Sequence, residues 1–340
     1  EYPSPEREPE NFINMLSELV RQQAINMVLP MTELTCRLLL EHLQVFPDTR
    51  IPFPDLQTVD MLSDKCALMR MACELNVPIP QTWHADSPAE VPVALEELPY
   101  PLVLKPGKSW LFYKGQWRRA GVHIAATPAE ARNVLSADPA FQAHPFIIQE
   151  YVEGHGVGVF ALYDHGRPLA FFAHRRLREK PPEGGVSVLS ESVAVDPVLG
   201  AHARVLLNRA GWHGIAMVEF RVTPDGIPYL MEINTRFWGS LQLAIDAGVN
   251  FPWLLYQLAN GEQSAAVSNY RTGKRLRWLL GDLDHLYLVL RDDHYSFQHK
   301  IKTLLQFLQP SPFRTRHEVN RWHDPAPAWF ELKTYIRNLL

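Results

Sequence analysis

The sequence predicts an α/β protein assembled from mixed α+β lobes, and three observations carry that reading. Helix, strand and helix alternate over residues 11–45. Two apolar strand-like runs, 102–104 and 146–149, bracket a helix whose start is spelled out by Thr127, Pro128 and Glu130. Finally, alternating runs at 214–222 and 227–234 flank Asp225-Gly226, a strong hairpin signal because both turn residues tolerate positive φ.

Taken in order, residues 11–45 give a helix, a short strand at 26–29 and a second helix at 32–43, a fragment of a larger sheet domain. Residues 60–75 carry Leu62, Cys66, Met69 and Cys73 at helical spacing, and Asn76 with Pro78 and Pro80 stops that helix ahead of a linker at 77–80. A small α+β lobe follows over 99–155, then a larger one over 156–262. The tail, 263–340, reads as a helical extension with an amphipathic run at 279–290, punctuated by Pro310-Ser311-Pro312 and Asp324-Pro325-Ala326-Pro327. No internal repeat at a fixed period is present.

Composition removes several function classes. With 33 Lys+Arg against 37 Asp+Glu, the chain lacks the clustered basic excess that nucleic acid requires. Its longest charge-free stretch, 247–261, has 15 residues and includes Asn250, Pro252, Gln257 and Asn260, whereas a membrane span needs roughly 20 mostly apolar residues. Three cysteines, Cys36, Cys66 and Cys73, without CxxC spacing fit a reducing compartment, so a cytoplasmic protein is expected. The chain opens on Glu1 with no signal-like core behind it, as a truncated or processed product would.

The hairpin yields the sharpest inference. A two-residue Asp225-Gly226 loop makes opposed residue numbers sum to 451, so Val218 faces Ile233, Phe220 faces Met231 and Val222 faces Tyr229 on an apolar side. The other side sets Glu219 opposite Glu232, with Asn234 next along the same face. Facing like charges cost about 0.2 to 1 kcal/mol, which calls for a positive partner. A divalent cation is one; a lysine or arginine such as Arg221 on a solvated face is the other. Oxygen ligands of this kind suit Mg²⁺, which completes its shell with water and phosphate oxygens, so a phosphate-bearing substrate is implied.

Arg236 follows where the second strand leaves the sheet, a position suited to developing negative charge. Lys65 stands early in the 60–75 helix, and Lys105 ends the apolar strand Pro101-Leu102-Val103-Leu104-Lys105. In this order the residues resemble the ATP-grasp enzymes, specifically their carboxylate-amine ligase and biotin-carboxylase-like members, over roughly residues 58–261. Asp64-Lys65 with Asn76-Val77-Pro78-Ile79-Pro80 looks like the first-lysine segment, and 100–106 like the strand of the second lysine. Ile148-Gln149-Glu150-Tyr151-Val152-Glu153-Gly154 is similar to the adenine hinge.

The resemblance implies an ATP-grasp fold with a partial Rossmann-like pre-ATP-grasp domain at 1–57, a linker helix region at 58–98, and the two lobes and extension already bounded. It implies that Lys65, Lys105 and Lys108 contact ATP phosphates and that Gln149, Glu150, Tyr151 and Val152 hold the adenine. Glu219, Glu232 and Asn234 match ligands of Mg²⁺ (or Mn²⁺), and Arg236 the arginine after them. Its first domain has a strand and glycine turn with no counterpart before Asn11, so a native chain extended upstream by on the order of 50 to 80 residues is expected. The implied partners are ATP, a small carboxylate and an amine, with room for a homodimer.

The chain departs from that pattern at two places. Gly156 stands where many members carry an acidic ribose ligand, and the phosphate-covering loop at 107–121 is basic and aromatic rather than glycine-rich. That loop is expected either as a lid, with Lys108, Lys114 or Arg118 reaching phosphate, or as a surface hairpin. Its Gly-Lys-Ser is no Walker A motif, since the first glycine would fall on Leu102. Residues 174–185 carry four cations ahead of Pro181-Pro182 and Gly184-Gly185 and read as a loop presenting guanidinium groups to an anion, or as a solvated charge run; the resemblance implies that Arg175 or Arg178 meets the acid substrate or the γ-phosphate. No GxSxG, HExxH or clustered Cys/His spacing occurs. The expected activity is activation of a carboxylate as an acyl phosphate for amine attack. Bicarbonate activation and a non-catalytic nucleotide-binding regulator of the same fold are the alternatives.

Overall fold

The computed structural model describes residues 2–262, 267, 269–309 and 315–339. Helices α1 (Pro9–Gln22) and α2 (Glu33–Glu41) enclose a small core of Ile13, Val20, Leu34, Leu38, Leu39 and Phe46. Thr32 caps α2 reciprocally: its hydroxyl accepts the Thr35 N–H at 3.2 Å, and Thr35 Oγ1 accepts the Thr32 N–H at 3.2 Å. The strand expected at 26–29 is reduced to a single parallel bridge between Met27 and Arg50, which alone cannot extend into a ladder.

The helix expected at 60–75 is two helices, α3 (Leu56–Ser63) and α4 (Lys65–Glu74). Asp64 breaks it, leaving helical backbone at ψ 113° while its carboxylate accepts the Ala67 N–H at 3.0 Å. Lys65 thereby becomes the first residue of a helix instead of an interior one. The end of α4 is as the sequence indicates: Asn76 takes φ +55°, and the Val77 N–H returns to the Ala72 carbonyl at 2.9 Å.

The small lobe contains β1 (Thr82–Ala85), β2 (Leu102–Pro106), β3 (Trp110–Tyr113), β4 (Gln116–Arg119), β5 (His123–Ala125), α5 (Pro128–Ala137), α6 (Pro139–Ala143) and β6 (Phe146–Glu150). An antiparallel sheet in the order β1-β6-β2-β5 backs onto α5 and α6 through Leu102, Leu104, Phe141, Phe146 and Ile148. Its first strand comes from the stretch expected to be linker, because β1 supplies the outer partner that β6 needs. Separately, β3 and β4 form a two-stranded hairpin turning at Lys114 (φ +50°) and Gly115 (φ +79°).

The large lobe is built on β7 (His155–Asp164), β8 (Arg167–Lys180), β9 (Val186–Val193), α7 (Pro197–Arg209), β10 (Gly214–Val222), β11 (Pro228–Asn234), α8 (Leu241–Ala247) and α9 (Phe251–Ala259). The tail adds β12 (Arg275–Arg277), α10 (Leu279–Arg291), α11 (Phe297–Leu308), β13 (Thr315–His317) and α12 (Ala326–Leu339). One seven-stranded sheet runs β11-β10-β7-β8-β9-β12-β13, so the tail is not purely helical: two of its strands continue the large-lobe sheet. Pro310-Ser311-Pro312 lies outside the described residues. No described helix is long and apolar enough to cross a membrane.

At the metal-candidate hairpin, Met217, Val218 and Glu219 face Asn234, Ile233 and Glu232, as the 451 sum requires. Beyond a bulge the register shifts, so Phe220 faces Leu230 rather than Met231, and Val222 faces Pro228 rather than Tyr229. Pro224 explains the shift. Its fixed φ suits the second position of a four-residue turn, closed by the Gly226 N–H on the Thr223 carbonyl at 2.9 Å, instead of a two-residue loop. Gly226 then carries φ +85°. Gly226→Ala is expected to cost about 1 kcal/mol or somewhat more, read as a lower midpoint in urea with an unchanged slope.

Candidate active site

Antiparallel registry aligns Glu232, Glu219, Gly158, His174 and Ser192 across five strands, so their side chains share one sheet face. Asn234 Nδ2 donates to Glu219 Oε1 at 2.8 Å and to Glu232 Oε1 at 3.3 Å, joining the three. The positive partners that the facing carboxylates need are supplied by the chain itself. Arg176 Nη2 donates to Glu219 Oε2, and Lys65 Nζ lies 3.8 Å from Glu232 Oε2. Arg221 instead pairs with Glu179 at 3.1 Å.

These charges separate the two carboxyls. Burial raises Glu219, only partly offset by Arg176. Burial also pushes Glu232 upward, but Lys65, Lys105, Arg176 and Arg236 outweigh it and hold Glu232 below the usual carboxylate range.

Lys65 reaches the site because the first amide of α4 donates to the Gly107 carbonyl at 2.7 Å. That bond sets Lys65 Nζ 3.2 Å from Ser109 Oγ. The approach favours glycine at 107: a Cβ there would stand a tight 3.1 Å from Cys66 Sγ and from the Pro145 carbonyl. Lys105 Nζ donates to the buried Gln149 Oε1 at 2.8 Å, and Gln149 is held in turn by Thr82 at 2.9 Å. Burial lowers Lys105 to about 8, with Glu232 pulling it back up and Lys65 pressing it down. Lys108 is tied at 2.8 Å to Asp60, which also takes Arg37. Lys114 and Arg118 lie over the Tyr113 ring. The hairpin carrying them packs Trp110 and Trp117 onto the N-terminal core and donates the Trp117 N–H to the Glu6 carbonyl at 2.8 Å.

Two arginines expected at the site are elsewhere. Residues 174–180 are strand, not loop, and strand alternation turns Arg175 away from the face shared by His174 and Arg176. Arg175 joins Arg275 on Glu191, at 2.8 and 2.9 Å. A bulge at Leu177 then puts Arg178 opposite Leu189, so Arg178 also leaves the site face and pairs with the buried Asp282 at 2.6 Å. Arg176, which sequence reading passed over, is the one beside the carboxylates. Its parity with Glu219 depends on two interstrand registers that no local pattern reveals. Arg236 lies close enough to lower both glutamates and donates to its neighbour's carbonyl, Phe237 O, at 2.7 Å. Glu33, also overlooked, is raised by burial and feels Lys65, Arg236 and Glu232.

Gly156 faces a filled space: a Cβ there would meet Arg176 Cδ at 2.8 Å and Glu179 Oε1 at 3.1 Å. Glu179, from the neighbouring strand, thus puts a carboxylate where a side chain at 156 would be. Around the hinge, the Glu150 and Tyr151 N–H groups donate to the carbonyls of Gln81 (3.0 Å) and Pro101 (3.1 Å). The Tyr151 hydroxyl donates to the Glu183 carbonyl at 2.8 Å, and Arg176 and Arg221 reach the Gly185 and Glu183 carbonyls at 3.0 Å, pinning the β8–β9 loop. Val152 follows Tyr151 where the chain leaves β6. His174 is structural, edge-on to Phe160 at 4.8 Å, with Nδ1 3.1 Å from Ser240 Oγ.

Residues 142–281 match a family model described as ATP-grasp in the biosynthetic pathway with Ter operon. The architecture superposes on biotin carboxylase from Campylobacter jejuni with a TM-score of 0.62 at 16% identity, covering 79% of this chain and 62% of that one. The chain has the ATP-grasp fold. A second ATP-grasp likeness is to the L-amino acid ligase of Bacillus licheniformis, with TM-score 0.60, 17% identity, and 78% and 64% of the two chains covered. In sequence, the D-alanine–D-alanine ligase of Anaeromyxobacter dehalogenans (strain 2CP-C) is 26% identical over 197 residues. That match takes in 50% of this chain, which spans little more than half, 57%, of the ligase.

Proposed function

We propose that this ATP-grasp protein is an ADP-forming ligase that joins a carboxylate to an amine. The observation carrying the reading is the single sheet face of Glu219, Glu232 and Asn234, met from the other side by Lys65. Glu219, Glu232 and the side-chain oxygen of Asn234 offer the hard oxygen donors that Mg²⁺ or Mn²⁺ prefers. The ion would neutralise the β- and γ-phosphates there.

The chain's own part is positioning and charge. Lys65 and Lys105 would bind phosphate oxygens, with Lys108 joining once released from Asp60. Gln149 would orient Lys105, and the hinge from Glu150 through Tyr151 to Val152 would border the adenine. A substrate carboxylate oxygen attacks the γ-phosphorus, the bond to ADP breaks, and an acyl phosphate results. The amine then adds to the acyl carbon, phosphate leaves, and the amine loses a proton. Arg236 and Arg176, rather than Arg175 and Arg178, are the guanidinium groups beside the carboxylates that would hold the developing oxyanion. A D-alanine–D-alanine ligase among the relatives supports C–N bond formation with an amino acid as one substrate. The three cysteines, all free, support a cytoplasmic site of action, and a homodimer is part of the reading.

The test is ADP release with Mg²⁺ over a panel of amino acids, polyamines and bicarbonate, with products identified by mass. ADP and an amide from an acid–amine pair are expected. Release with bicarbonate alone would move the protein to carboxyphosphate chemistry, and no release with any of them would remove the catalytic reading.

The depressed Lys105 adds a pH signature. As Lys105 loses its proton above about pH 8, KM for ATP should climb by about tenfold per pH unit while kcat holds. Stability follows the opposite sense. The unfolded lysine keeps its proton up to 10.5, so the destabilising effect of burial is complete below 8 and fades between 8 and 10.5. Wild type should therefore gain stability relative to Lys105→Met over that window in parallel thermal scans.

A further inference from the structure

At the end of the sheet remote from Glu219, the β7–β8 turn and the start of β10 bring together Asp164, His165 and His213. One donor atom from each lies within 4.8 Å of the others. Gly214 pairs with Tyr163 while Glu219 pairs with Gly158, and at about 3.3 Å per residue this puts the group some 17 Å along the strands from the carboxylates.

The backbone holds these side chains in place. Asp164 and Arg167 close the turn, and both residues between them are left-handed, His165 at φ +44° and Gly166 at φ +81°. Such turns favour asparagine or glycine at the first position, and histidine also tolerates the left-handed conformation. The Gly166 N–H donates to the Trp212 carbonyl at 2.8 Å, fixing the turn against the residue that precedes His213. The two imidazoles stack with centroids 4.2 Å apart and planes at 20°.

The polar atoms are arranged as ligands. His213 Nδ1 is buried without a hydrogen-bond partner and stands 3.8 Å from Asp164 Oδ1. Asp164 Oδ2 accepts from Arg167 at 2.9 Å, an outer contact that orients the carboxylate and directs Oδ1 toward His213.

We propose that Asp164, His165 and His213 form a binding site for one first-row divalent cation of the Zn²⁺ type, with water at the fourth position. Tetrahedral bonds of ~2.1 Å set ligands about 3.4 Å apart. Asp164 and His213 are near that spacing, and the exposed His165 side chain closes the remainder by rotation. Two imidazoles select against Mg²⁺, so this site and the carboxylate face call for different ions. Bound there, the ion would clamp the left-handed turn to the β10 strand and stabilise the folded chain without touching the ATP-grasp chemistry.

The experiment is calorimetric titration of the whole chain with Zn²⁺ in excess Mg²⁺, paired with thermal unfolding. One equivalent of Zn²⁺ and a rise in Tm are expected. His165→Asn, which suits the left-handed turn, and His213→Gln should each weaken binding by at least about tenfold and remove the Tm rise. Cys73→Ser, which removes the exposed thiol, should change neither. With Co²⁺ in place of Zn²⁺, visible absorption of tetrahedral type should appear in wild type and vanish in both histidine variants. Absence of saturable binding, binding unaltered in both histidine variants, or binding lost only in Cys73→Ser would overturn the site.

Discussion

Glu232→Gln is expected to lower ADP production by several orders of magnitude while the protein without nucleotide stays folded. The substitution keeps side-chain volume and an oxygen that can still face Asn234 and Lys65, so packing is undisturbed. It removes one negative charge from a pair that repels across the sheet, and removes an anionic partner from Lys65, which is 3.8 Å away. These effects oppose one another. The net change in stability should stay within about 1 kcal/mol, the range of a cross-strand or partly exposed ion pair. Turnover has no such compensation. The proposed chemistry uses no protein nucleophile, so losing an interaction that acts on the transferring phosphate should fall on kcat and kcat/KM together. Lys105 should respond as well, because Glu232 is the main charge pulling it upward. Its titration should move below 8 in the variant. Wild-type turnover would take Glu232 out of the mechanism; unfolding of the variant without nucleotide would make it a structural ion-pair residue.

Arg176→Met should produce the largest stability loss among single changes at the site. Arg176 donates to both Glu219 and Glu179 and also to the Gly185 carbonyl. Glu179 keeps Arg221, but Glu219 loses its closest cation and remains enclosed. An uncompensated buried charge of this kind costs about 3 to 5 kcal/mol. Arg175→Ala, on the opposite and more exposed face, should cost no more than about 1 kcal/mol. The pH dependence separates charge from packing. Glu219 is raised in the folded state, so the folded protein binds more protons than the unfolded one above pH 4.5, and stability falls as pH rises through that range. Removing Arg176 strengthens this effect, so the variant should regain stability on acidification from neutral pH toward 5, and again when Mg²⁺ is added. A variant equally unstable at both pH values, with no response to Mg²⁺, would assign the loss to packing.

Much of the site was legible because its signals are local. The Glu219/Glu232 pairing follows from strand alternation and one turn. That turn was misread, yet the pairing survived, because the shift made by Pro224 and the bulge after Glu219 cancel before the glutamates are reached. The helix cap at Thr127 and the stop at Asn76 were likewise carried by the residues themselves. The order of Lys65, Lys105, Glu219, Glu232, Asn234 and Arg236 carried the resemblance to the ATP-grasp enzymes, whose fold the chain has.

What the sequence by itself determined, then, was the fold class, the hairpin that presents the carboxylates, and the ATP-grasp fold that those residues resemble. The tertiary structure alone decided which cations stand beside them. Arg175, Arg176 and Arg178 are equivalent as residue types, and only the registers of β7, β8 and β10, with the bulge at Leu177, assign Arg176 to Glu219 and the others to Glu191 and Asp282. Likewise the carboxylate of Glu179 over Gly156 and the extension of the large sheet by β12 and β13 join residues far apart in the chain. The physical reason is the same in each case. Periodicity of two or 3.6 residues fixes a side chain's face within its own element, whereas its neighbours across a sheet depend on pairing between strands, which one bulged residue reverses.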